Sequence, residues 1–149
     1  MPIWNTAGVE EQPSLVMDTW RVVEVVWSIV DLATVLKKDE KGAARFLQEL
    51  DVDFSNPARP TSRHLVGYVR QNREGRVSSS IVEFDPARLV CRTSTGRTYG
   101  LMGEPGWNGD ARYVLGRWMD QFKISEWRDV TDEVMVEIAA PRGPAKTLH

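Results

Sequence analysis

The chain has 149 residues, 42% hydrophobic and 27% charged, with a formal net charge of −2. That length and mix predict one globular domain with a core of its own, and the overall charge draws it to neither nucleic acid nor membrane. One cysteine, Cys91, excludes an intramolecular disulfide, and with only two histidines an all-protein zinc site is not expected.

Residues 1–12 carry neither a basic nor an apolar leader region, so no signal peptide is expected; the lone cysteine agrees with a reducing, cytoplasmic setting. Ser14 to Lys38 is crowded with valine. Its polar residues nevertheless recur three or four apart, at Ser14, Asp18, Arg21, Glu24, Ser28, Asp31, Thr34 and Lys38. That period predicts a long apolar helix over 14–38 with a narrow polar stripe and Ser14 as its N-cap. Its charges are too many for a membrane span. A helix apolar around most of its circumference needs cover, from the rest of the domain or from a second copy in a homodimer.

A short helix is predicted at 43–50 and a loop at 51–61. Four β-type runs follow, at 64–69, 77–84, 89–94 and 97–102, separated by turn-forming residues at 72–75, 85–88 and Thr95-Gly96. Connections this short predict a four-stranded antiparallel meander. The glycine-rich segment 103–109 then leads to Asn108 as an N-cap. Ala111, Val114, Leu115, Trp118, Met119 and Phe122 mark one face of an amphipathic helix over 110–122. Val134, Val136 and Ile138 alternate and suggest a fifth strand. The class is therefore α+β, with 1–140 as a single domain and 141–149, which holds two prolines and a glycine, as a flexible tail.

No segment announces a reaction. A nucleophilic pair would need His64 beside Cys91, and the sequence leaves their faces open; a cysteine in an apolar strand is more simply a small hydrophobe. Ser78-Ser79-Ser80 lacks the glycines of a nucleophile elbow. The 103–109 loop lacks the Gly-Lys-Ser/Thr ending of a phosphate loop, and Asp110 opposes an anion there. Glu83 and Asp85 have no second acidic pair at metal-ligand spacing. His149 sits at the chain end. No catalytic residue, metal or cofactor is expected.

The charge divides unevenly. Residues 1–58 carry net −5 and residues 98–149 net −2, whereas 59–97 hold eight arginines against Glu74, Glu83 and Asp85, net +5. That block either meets phosphate or faces the protein's own acidic parts. The tryptophans divide as well. Trp20, Trp27 and Trp118 fall on helical faces and suit a core, while Trp4, Trp107 and Trp127 lie in irregular segments.

Three readings follow. The first is a non-catalytic regulatory protein that occupies a protein partner through Trp107, Arg92, Arg97 and Tyr99, as small inhibitors from phages and other mobile elements block host factors. The second is a DNA-binding regulator with a helix-turn-helix-like segment over 41–73, using Arg63, Arg70, Arg73 and Arg76. Gly67 in mid-helix, costing about 1 kcal/mol, and the long 51–61 gap stand against it. The third is a small anionic-ligand binder or enzyme using the Arg92, Arg97 and Tyr99 hairpin.

Overall fold

The computed structural model describes residues 11–139; Trp4, His149 and the 141–149 tail lie outside the described residues. The helix expected over 14–38 does not form. Ser14–Val26 is a thirteen-residue strand, β1, followed by a short helix, α1, at Ile29–Leu36. Ser28 caps α1 by accepting a hydrogen bond from the Asp31 amide.

The helical period of β1 has two physical causes. Both faces of the strand are buried, so apolar residues occupy both parities: Leu15, Met17, Trp20 and Val22 on one face, Val23 and Val25 on the other. A bulge also interrupts it. Thr19 has φ 47°, and the register with the neighbouring strand shifts between Asp18 and Arg21, so Thr19 and Trp20 together oppose Gly67. The extra residue switches the parity of the inward positions from odd to even. Polar residues then recur every third or fourth position, as on a helix. Gly67 is required where the bulge crosses it: a Cβ there would lie 2.7 Å from the Met17 sulfur.

The remaining elements are α2 (Glu40–Glu49), β2 (Thr61–Val69), β3 (Glu74–Val77), β4 (Ile81–Asp85), β5 (Val90–Thr93), β6 (Thr98–Met102), α3 (Gly109–Gln121), β7 (Glu126–Asp129) and α4 (Thr131–Ala139). The sheet is mixed and seven-stranded, in the order β3-β2-β1-β6-β5-β4, with β7 also on β1. The N-terminal half of β1 pairs in parallel with β6, and its C-terminal half pairs antiparallel with β7 on the same side.

The α+β class therefore holds, and the simple meander does not. Hairpins form between β2 and β3, β4 and β5, and β5 and β6. The run 77–84 splits between β3 and β4, and β1 is inserted between β2 and β6. Segment 60–73 is strand β2 and its turn, so no recognition helix stands at 60–73 and the helix-turn-helix is not formed. The fifth strand expected at 134–138 lies in α4, and the last strand forms earlier, at β7.

Two cores lie on the two faces of β1 and β2. Helices α1, α2 and α3 cover the first, around Val25, Trp27, Leu32, Leu47, Val66 and Leu115. The second gathers Leu15, Trp20, Leu65, Cys91 and Tyr99, with Val134 of α4 packed against them. No helix among the described residues is long and apolar enough to cross a membrane.

Candidate interaction surface

Between the end of β6 and the start of β7, the edge of β1 has no strand partner among the described residues, and the chain satisfies it piecemeal. The Gly106 amide donates to the Trp20 carbonyl at 3.0 Å, and the Val130 amide donates to the Val22 carbonyl at 2.9 Å. The Val22 amide donates to the Thr131 hydroxyl at 2.8 Å. Gly103, at φ +72°, turns the chain out of β6 so that Gly106 reaches the bulge. Asn108 then caps α3 through the Ala111 amide, a contact worth about 1 kcal/mol. Gly75 lets α3 sit directly on β3, since a Cβ there would lie 2.3 Å from the Ala111 nitrogen.

This anchoring fixes Trp107. Its ring lies 5.1 Å from the Arg112 guanidinium of α3 and 5.9 Å from that of Arg21 on β1. Trp127 of β7 meets it edge-on, with ring centroids 6.3 Å apart at 84°. Trp127 remains 38% exposed, so the cluster opens to solvent. Arg21 is held from behind by Asp129 at 2.8 Å. Burial would raise the Asp129 pKa, but the Thr131 hydroxyl and Arg21 outweigh it and hold the carboxyl below its ordinary value.

The outer face of α3 continues the surface. Tyr113 is 60% exposed, and Arg117 reaches back over its ring at 5.9 Å while donating to its hydroxyl at 3.0 Å. Gly116 stands between Arg112 and Arg117, and a Cβ on it would meet nothing within 4 Å.

The 59–97 arginines are placed differently. Arg63 pairs with Glu24, Arg70 with Asp18, Arg92 with Glu83, Arg59 with Glu126, and the buried Arg76 with Glu74. Arg97, 8% exposed, donates to the Gln12 carbonyl. Arg73 and Arg88 lie in the β2–β3 and β4–β5 turns. The residues Arg92, Arg97 and Tyr99 do not converge. Tyr99 is buried at 2% and lies beside Arg76, whereas Arg92 points to the opposite face and is exposed.

His64 and Cys91 face opposite cores. The His64 ring packs on Trp118, 4.7 Å between centroids, in a buried polar chain. Trp27 Nε1 donates to the Ser62 hydroxyl at 2.8 Å; that hydroxyl is 2.6 Å from His64 Nε2, and His64 Nδ1 is 2.9 Å from the Ser78 carbonyl. A neutral imidazole protonated at Nδ1 satisfies every member. Burial pushes the His64 pKa down to about 4 and the Cys91 thiol up to about 12. Neither group is poised for proton transfer or attack at neutral pH.

A groove of about 620 Å³ lies at the C-terminal end of β1, lined by Val26, Val30, Lys41, Arg59, Lys123 and Glu126 among others. A smaller hollow of about 310 Å³ adjoins it, lined by Glu24, Asp53, Trp127 and Arg128. The exposed Arg59–Glu126 ion pair borders both. Hydrogen bonds from Ser55 lower the pKa of the Asp53 carboxyl. Among the described residues, no group of three or more His, Cys, Asp or Glu side chains is placed to hold a metal.

Of the residues expected from sequence, Trp107 alone lies in this cluster. Trp127, Arg21, Arg112, Tyr113 and Arg117 were not singled out as an interface. The available signal was the spacing of Tyr113 and Arg117, one turn apart on the polar side of a clear amphipathic helix. Comparison with protein-family models, with curated proteins and with solved structures returns no match.

Proposed function

We propose that this is a non-catalytic binding protein that acts by occupying a partner protein through the surface formed by loop 103–108, α3 and β7. The observation that carries the reading is the half-open cluster of Trp107 and Trp127 with Arg21 and Arg112. Tryptophan and arginine dominate the energetically decisive centres of protein interfaces, and here they are already ordered before any partner arrives. The sequestration of His64 and Cys91 in separate cores supports a role without covalent or acid–base chemistry. Inhibition of a host factor by a protein of a phage or other mobile element fits this size and surface, and the buried lone thiol fits a cytoplasmic setting.

The test is affinity capture from the producing cells with the full chain and with Trp127→Ser, whose melting temperature checks the fold. A partner retained by the first and lost by the second is the expected result. Equal yields from both would contradict the assignment of this surface.

A further inference from the structure

We propose that the outer face of α3 receives an acidic segment of the partner protein, with Arg112 and Arg117 each taking one carboxylate. The inference rests on the binding role proposed above and adds the partner's chemistry.

Arg112 and Arg117 form no ion pair with a carboxylate among the described residues. Each is instead laid against an aromatic ring, Arg112 on Trp107 and Arg117 on Tyr113, where Arg117 spends one N–H on the ring's hydroxyl and keeps the others. A guanidinium held against a ring keeps N–H donors at its edge for an anion, and part of its side-chain entropy is already lost. Such a group is preorganised for bidentate contact with a carboxylate.

The two arginines are five residues apart, an axial rise of about 7.5 Å and a rotation of about 140°, so they flank the exposed arc of α3 and a chain crossing that arc has one on either side. Between the arginines, Gly116 leaves helix backbone uncovered, with open space where a Cβ would project. Nothing inside the protein requires glycine there, and in a helix interior it costs about 1 kcal/mol relative to alanine. A bare step between two oriented cations lets a second chain approach closely.

Charge on the same helix limits the occupant. Asp110 stands at its first turn and Asp120 at its last. The cationic stretch is therefore short and ends in acidic residues. Two carboxylates fit within it, while a run of nucleic-acid phosphates extending past it meets Asp110 or Asp120. This favours an acidic protein segment over a polynucleotide.

The experiment uses the full chain, nitrogen-15 labelled, titrated with three probes. These are an acetylated and amidated peptide of alternating glutamate and leucine, its glutamine counterpart, and a single-stranded thymidylate decamer. The expected result is a saturable shift of the Arg112 and Arg117 side-chain N–H signals and of the Trp107 indole with the acidic peptide alone. The variant carrying Arg112→Gln and Arg117→Gln, both solvent-facing positions, should bind at least about tenfold more weakly with a melting temperature lowered by no more than about 4 °C. The proposal is overturned by no saturable shift, by equal shifts with the glutamine peptide, or by tighter binding of the decamer. If the peptide fails while Trp127→Ser still abolishes capture, the surface stands and the acidic chemistry is wrong. If capture is also indifferent to Trp127, the surface itself is wrong.

Discussion

The two sets of arginines in this protein behave in opposite ways. The 59–97 block, net +5 in sequence, is largely consumed inside the fold: five of its eight guanidiniums pair with carboxylates, two of those (Glu24 and Asp18) on β1. The pair on α3, in a region of net −2, forms no ion pair among the described residues: Arg112 lies against Trp107, and Arg117 against Tyr113, whose hydroxyl it also hydrogen-bonds. Counting charge along the chain therefore overstates how much of the charge of the 59–97 block is free. What decides is whether the topology brings a carboxylate alongside. Inserting β1 between β2 and β6 sets its acidic residues directly against β2, whereas among the described residues no carboxylate pairs with the arginines of α3.

The strongest way to break this contrast is Arg76→Ala. Arg76 is 3% exposed and holds Glu74 and the Tyr99 hydroxyl, so its loss strands a half-buried carboxylate and should cost about 3 kcal/mol in urea unfolding. A cost below about 1 kcal/mol would place Arg76 with ordinary surface ion pairs.

His64, in the same block, should add no charge to it above pH 5. Its folded pKa of about 4 lies below the unfolded value of 6.5, so the unfolded chain takes up the proton first. The associated stability is fully present above pH 6.5 and is lost as the pH falls toward 4. By pH 4.5 the loss should reach about 2–3 kcal/mol, and His64→Gln should remove that dependence. An imidazole titrating near 6.5 by NMR would contradict the buried neutral chain.

On the α3 side the expected effects are smaller and one has the opposite sign. Gly116→Ala should raise stability by about 0.5–1 kcal/mol, measured by thermal unfolding, because nothing crowds the new methyl group. A loss instead would reveal a contact that the open space conceals. Arg112→Gln and Arg117→Gln should each cost no more than about 0.5 kcal/mol, the value of an exposed cation–ring contact. A cost of several times that would make these arginines structural and remove the reason to regard them as available.

Parts of this were legible in the sequence for physical reasons. Helix α3 buries one face only, so its period and its Asn108 cap read directly. The hairpins around 85–88 and Thr95-Gly96 were marked by their turn residues. Strand β1 was not legible, because burial on both faces and the Thr19 bulge together imitate a helical period. The alternation at Val134, Val136 and Ile138 misled in the opposite direction. Thr131, hydrogen-bonded through its amide to Asp129, begins a helix that buries Val134 and leaves Val136 62% exposed.

The surface was half legible. Trp107 stands out in the sequence as a large aromatic in a glycine-rich loop. Trp127 stands out in the sequence as another aromatic in an irregular segment, but its meeting with Trp107, Arg21 and Arg112 does not, because these residues come from loop 103–108, β1, α3 and β7, which the docking of Gly106 onto the bulge brings together.

Selective modification of arginine by phenylglyoxal, read residue by residue by mass spectrometry, tests the contrast most directly. The account predicts that Arg112 and Arg117 react at least about tenfold faster than Arg63, Arg76 and Arg97, whose guanidiniums are paired or buried. Equal or faster modification of Arg63 or Arg76 would contradict it.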